Sequence, residues 1–212
     1  MTREELDLIL ERHQHWLKKD CDRWVEMRAD LSNADLSYAD LSYIDLSDAD
    51  LSNANLKGAC LYKADLRSAN LRDTDLSYAD LSYAELGYTD LYNANLSYAN
   101  LSYVNLRCAS LACANLSDAI LIDAILCDAV LIDADLSNAI LRGTDLSKAD
   151  LNNANLSYAN LSYANLRYAD LNNADLNNAG LRCAYLYKAG LRDAKNVTYI
   201  PMACRDKGDF IS

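Results

Sequence analysis

Leucine occupies every fifth position from Leu31 to Leu191, thirty-three times without an exception. Five is a multiple neither of the helical period of 3.6 nor of the strand period of 2, so continuous helix or strand would scatter these leucines over every face. Alanine keeps the same spacing two residues earlier, from Ala29 to Ala194, broken only by Ile44, Thr74, Thr89, Val104 and Thr144. A short extended segment followed by a turn in every pentad lets leucine and alanine point inward at the same height each time. The chain then coils as a β-solenoid in which no coil is stable alone. The register never slips, so no loop interrupts the array.

The number of pentads per coil shows as a longer period in the variable positions. Two residues after leucine, steps of twenty give Asn33, Asn53, Asp73, Asn93, Cys113, Asp133, Asn153, Asn173 and Asp193, a column almost wholly of Asn and Asp. Tyrosine pairs fill the same slot at Tyr38/Tyr43, Tyr78/Tyr83, Tyr98/Tyr103 and Tyr158/Tyr163, with starts separated by multiples of twenty. Four pentads per coil aligns both columns and predicts a square cross-section with one Asx-rich corner, because Asn and Asp tolerate positive φ. About eight coils result, with Tyr78 stacked on Tyr98 and Tyr83 on Tyr103 at the ladder spacing of about 4.8 Å.

Runs such as Ala34-Asp35-Leu36-Ser37-Tyr38 and Ala154-Asn155-Leu156-Ser157-Tyr158 resemble the A(D/N)LXX pattern of the pentapeptide-repeat proteins, over roughly residues 29–195. The resemblance implies an all-β fold, the right-handed quadrilateral β-helix of that family, with leucine as the central inward residue. Residues 1–28 read as an N-terminal α-helical cap. Thr2 and Glu5 have capping-box spacing, and Leu6, Ile9, Leu10, Trp16 and Leu17 fall on or near one stripe of a helix running to about Lys19. Trp24, Val25 and Met27 are then expected over the first coil. Residues 29–195 form the β-helix, and 196–212, where the leucine phase ends and the sole proline, Pro201, stands, a C-terminal cap or tail.

Net charge is −11, which disfavours direct nucleic-acid binding because phosphates would be repelled. No apolar run reaches membrane-span length and the N-terminus lacks signal-peptide regions, so a cytoplasmic protein with no membrane association is expected. The seven cysteines lack metal-ligand spacing and read as free thiols. The two histidines, His13 and His15, point to different sides of a helix. A filled solenoid without loops offers no cleft, so we expect no catalytic, cofactor or metal site, no small-molecule substrate, and no enzyme.

Two surfaces stand out. Residues 30–105 carry 12 acidic and 4 basic side chains, net −8, against 10 and 8, net −2, over 106–195. The first half thus approaches the linear charge density of duplex DNA, about one charge per 1.7 Å, and Asp45, Asp65 and Glu85 stack on one of its faces. Some members of the resembled family that protect type II topoisomerases are thought to mimic DNA in this way, although this array has neither the phenylalanines nor the projecting loop of those members. Acidity also keeps an edge-rich rod soluble. The second surface is an apolar belt of Ile120, Ile122, Ile125, Val130, Ile132 and Ile140, with Cys127, ringing three faces of about one coil, while Asp135 and Ser137 keep the fourth polar. β-branched residues also simply suit extended backbone. These surfaces suggest a structural or protein-contact solenoid, with an unknown protein partner or self-association through the belt, or alternatively an acidic DNA mimic that binds a DNA-handling protein.

Overall fold

A computed structural model describes residues 2–20 and 22–197. Helix α1 spans Arg3–Lys18. Its start is the capping box expected from the sequence: the Glu5 N–H donates to Thr2 Oγ1 at 3.2 Å, and the Thr2 N–H donates to Glu5 Oε2 at 2.7 Å. It ends at Lys19 in the left-handed conformation, whose N–H donates to the carbonyls of His15 and Trp16. A single 3₁₀ turn, Trp24–Glu26, leads into the repeats.

From Asp30 to Lys195 the residue before each leucine makes a parallel bridge to the residue twenty positions on, Asp30 to Asp50, Asp35 to Asn55, and so to Asp175 with Lys195. Each coil therefore consumes twenty residues and four turns. The extended segments expected from the sequence shrink to one bridging residue per pentad, because a turn every five residues leaves room for no more.

The hydrogen bonds of a pentad close almost completely. Around Leu56, the Leu56 N–H donates to the Asp75 carbonyl at 2.7 Å and the Gly58 N–H to that of Ser77 at 2.8 Å, both in the next coil. The Asn55 N–H donates back to the Ala34 carbonyl of the previous coil at 2.9 Å, and the Ala59 N–H to Leu56 across the turn at 3.0 Å. One donor remains, the N–H of the residue after leucine. A side chain takes it: Asn55 Oδ1 accepts from the Lys57 N–H at 3.1 Å. The Asx residue before leucine is thus the fifth acceptor of the repeat.

Every residue two after a leucine, from Asn33 to Asp193, has φ between 53° and 73°. The sequence suggests this conformation for one Asx-rich corner; the structure has it at all four. Ten tyrosines adopt it, Tyr38 and Tyr78 among them, at a cost on the order of 1–2 kcal/mol each for a side chain with Cβ. A turn with positive φ only at its third residue is type II, and every corner of the array uses it. At Gly58 a Cβ would lie 2.6 Å from the edge of the Tyr38 ring, so a larger residue there would have to displace that exposed ring.

The leucines from Leu41 to Leu176 are at most 2 % exposed, and alanine packs beside them. Threonine stands in for alanine at Thr74, Thr89 and Thr144 because each Oγ1 donates to the buried carbonyl of Leu51, Leu66 or Leu121. Helix α1 lies against the first coil through Leu6, Ile9 and Leu10. Ala34 and Ala39 stay only half-buried, and an open depression of about 420 Å³ separates Leu8 and Ile9 from Leu31 and Ala34. Val25, expected over the first coil, is instead 63 % exposed, since a three-residue 3₁₀ turn cannot put Trp24, Val25 and Met27 on one side. Of the expected C-terminal cap or tail at 196–212, residues 198–212 lie outside the described part.

Candidate contact surfaces

The acceptor that closes each turn also joins neighbouring coils. Where Asn follows Asp on the next coil, the amide serves both roles. Asn95 Oδ1 accepts from the Ser97 N–H and hydroxyl at 3.2 and 2.8 Å, while its Nδ2 donates to Asp75 Oδ1 at 3.1 Å. The same tie links Asn55 to Asp35, Asn70 to Asp50, Asn155 to Asp135 and Asn165 to Asp145. Alternating Asp and Asn thus converts like-charge stacking into a ladder. The bonds also stabilise the ionised form: the hydroxyls and then the N–H groups of Ser32, Ser37 and Ser42 hold the Asp30, Asp35 and Asp40 carboxyls below the usual carboxylate range.

Asp45, Asp65 and Glu85 bridge in succession on one face, with no amide between them. Asp45 Oδ1 accepts from the Ser47 N–H at 3.1 Å and hydroxyl at 2.7 Å. Arg67 Nε donates to Asp65 Oδ1 at 2.8 Å, and Nη2 to Oδ2 at 2.5 Å. Burial pushes the Asp65 carboxyl up, but the Arg67 hydrogen bonds and charge outweigh it and bring it below its ordinary value. Asn105 Nδ2 donates to Glu85 Oε2 at 2.7 Å. The middle carboxylate of the triad is therefore paired within the chain, which the sequence spacing does not reveal.

The apolar residues ring three faces as their spacing requires. Ile120 bridges Ile140 on one, Ile125 lies between Asn105 and Asp145 on the next, and Val130 between Ser110 and Asp150 on the third. Ile125 is 42 % exposed, and Val130 and Ile140 37 % each; Ile120, Ile122 and Ile132 are half-buried. An aliphatic side chain accepts no hydrogen bond, so the Asx acceptor is lost for the N–H groups of Ile122, Cys127, Ile132 and Arg142. On the fourth face Asp135 Oδ1 still accepts from the Ser137 N–H at 2.9 Å.

Tyrosines form columns on the corners. Tyr78 stacks on Tyr98 with centroids 4.9 Å apart, and Tyr83 on Tyr103 at 4.8 Å. Lys63 Nζ lies 5.2 to 5.9 Å from the ring centroids of Tyr43, Tyr62 and Tyr83, so the chain's own cation covers these faces.

His13 is fully buried under the N-terminal helix and stacks on Trp16 at 5.5 Å. The Ala29 N–H donates to its Nδ1 at 3.1 Å, whereas its Nε2 closes no hydrogen bond among the described residues. Burial depresses its pKa, against the opposing pull of Asp45, Ser47 and Asp48. Spacing separates His13 from His15, but it carries no signal of burial. Cys60, Cys108, Cys113 and Cys127 are free thiols, as expected; Cys183 departs from that expectation and is disulfide-bonded. No group of acidic, cysteine or histidine side chains that could hold a metal ion occurs among the described residues, and no helix there is long and apolar enough to cross a membrane.

The array matches the family model described as pentapeptide repeats in eight copies, from residues 29–67 at one end to 159–195 at the other. No curated protein sequence matches the chain. Among solved structures it is similar to HetL, a pentapeptide repeat protein involved in heterocyst differentiation regulation from the cyanobacterium Nostoc sp. strain PCC 7120, at 39 % identity over 79 % of this chain and 82 % of that one, TM-score 0.42. It is also similar to full-length QnrB1, a plasmid-mediated fluoroquinolone resistance protein, at 22 % identity over 76 % and 82 %, TM-score 0.34. With eight repeat matches across an unbroken leucine column, the chain belongs to the pentapeptide-repeat family.

Proposed function

We propose that this protein is a non-enzymatic contact solenoid, a right-handed quadrilateral β-helix over residues 29–195 capped by residues 1–28, that binds an apolar surface of a protein partner through its belt. One observation carries the reading: at Ile125, Val130 and Ile140 exposed aliphatics replace the residues that elsewhere close the turn and tie the coils. Folding does not require that replacement, so an external contact is its natural explanation. Leucine fills the interior and the faces carry no loops, which supports a binding role over a catalytic one.

The test is sedimentation velocity and affinity capture of the wild type beside an Ile125→Ser/Ile140→Ser variant, at low and high salt. Contacts made by the belt should persist in high salt and disappear in the variant. If assembly and captured partners are the same for both proteins, the belt is not the contact surface.

A second reading rests on the consecutive carboxylates Asp45, Asp65 and Glu85: an acidic DNA mimic that binds a DNA-handling protein such as a type II topoisomerase. Its partner should be lost by moderate salt, and a supercoiling assay with DNA gyrase tests the named target. The Arg67 pairing of Asp65 weakens this face relative to the belt.

A further inference from the structure

Cys108 and Cys127 occupy a recurrent juxtaposition of this fold. The residue two after a leucine donates its N–H to the carbonyl nineteen positions on, and Cys108 does so to Cys127 at 3.1 Å. At the two positions where tyrosines fill both sides of this relation their side chains meet: the rings of Tyr43 and Tyr62, and of Tyr168 and Tyr187, have centroids 5.5 Å apart. That N–H to carbonyl hydrogen bond sets the two backbones one ladder step apart, in the range of the roughly 4.4–6.8 Å Cα separation that disulfides span. Both thiols are half-buried and reachable, and the Arg107 guanidinium lies against Cys108 and near Cys127.

We propose that Cys108 and Cys127 form a reversible redox pair that a peroxide converts to a disulfide. The Cys108 thiolate, beside Arg107, attacks the peroxide oxygen and becomes a sulfenic acid, releasing one water from hydrogen peroxide. The Cys127 sulfur then attacks that sulfur and the sulfenic oxygen leaves as a second water. Two thiols are oxidised, one peroxide is reduced, and a thiol reductant reverses the bond. Burial, with Asp145 and Asp128 nearby, pushes the Cys127 thiol up, which leaves the first attack on peroxide to Cys108 beside Arg107. The location gives the bond a consequence. In this column Asn105 is tied back to Glu85, but Ile125 offers nothing to tie to Asn105. The disulfide would supply the missing link between the polar coils and the belt.

The test uses the reduced full-length chain, about one equivalent of hydrogen peroxide, alkylation, cleavage before aspartates, and mass spectrometry. Cleavage at Asp118 and Asp123 separates Cys108 from Cys127, so the disulfide appears as two linked peptides about 2 Da lighter than the two thiol peptides together. We expect this product to form about tenfold faster than any other crosslink, to persist in Cys113→Ser, to vanish in Cys108→Ser, and to slow several-fold in Arg107→Gln. Circular dichroism verifies that each variant is folded. The proposal is overturned if Cys108 and Cys127 remain alkylatable while Cys60 or Cys113 is oxidised, or if Cys108 pairs with Cys113.

Discussion

On the face that carries Asn55, Asn95 and Asn155, side-chain amides tie each of these residues to the coil before it and close its own turn. At Ile125, Val130 and Ile140 themselves both functions are absent, although the leucines beneath them are equally buried. The interior and backbone ladder are therefore indifferent to what the outside carries. The slot before leucine is where stability and surface chemistry compete. Polar coils use it for internal bonds, each worth about 0.5–1.5 kcal/mol net, and the belt gives that up for exposed hydrocarbon.

The largest expected effect probes what the two regions share. Leu106→Asp, under a polar coil, and Leu126→Asp, inside the belt, each bury an uncompensated carboxyl and should cost more than about 5 kcal/mol. Loss of the folded circular dichroism spectrum and of soluble protein in both variants is the expected readout. A soluble, folded Leu126→Asp protein would mean that the belt has a looser interior, and the comparison would extend to the core.

A smaller effect separates the regions. Asn95→Val removes the bonds to Ser97 and Asp75 and should lower stability by about 1–2 kcal/mol. The opposite exchange, Ile125→Asn, regains an acceptor for the Cys127 N–H and should cost less than about 0.5 kcal/mol. Denaturant midpoints measure both. Equal losses would erase the distinction between ladder and belt.

The smallest effect is local and depends on pH. Burial holds His13 below its ordinary 6.5, so the unfolded chain binds its proton at a higher pH than the folded one. Its stabilising contribution is complete above pH 6.5 and declines as pH falls through that value toward the folded pKa. Hydrogen exchange should then quicken around Ala29 and Ser47, leaving the rungs from Ile120 to Ile140 unmoved, and His13→Phe should abolish the dependence. Uniform loosening of the whole array would show that the cap does not respond separately.

Much of this was legible in the repeats. The inward leucines, the twenty-residue coil, the capping box at Thr2 and Glu5 and the stack of Tyr78 on Tyr98 all follow from spacing, because each depends on a period. The pairing of Arg67 with Asp65 does not, since the same letters describe a solvated pair and a bidentate one. Nor does the turn-closing role of residues such as Asp35 and Asn95: Asp and Asn suit solubility, turns and hydrogen bonding alike, and only the unmatched N–H two residues later singles out the use. His13 is invisible for a related reason, as a helix stripe says where an apolar face lies and not which polar residue will be shut beneath it.

The bridging of the residue before each leucine to its counterpart twenty positions along has an evolutionary consequence. Duplicating twenty residues would lengthen the rod and leave every column intact. Duplicating a single pentad would turn everything after it by one face, so that Ile125 would move from the column of Glu85 to the neighbouring one while the core still closed. Growth by coils and growth by pentads are therefore different operations, one extending the molecule and the other re-aiming its surfaces in discrete steps. A lineage can change the angle between two binding faces without redesigning either.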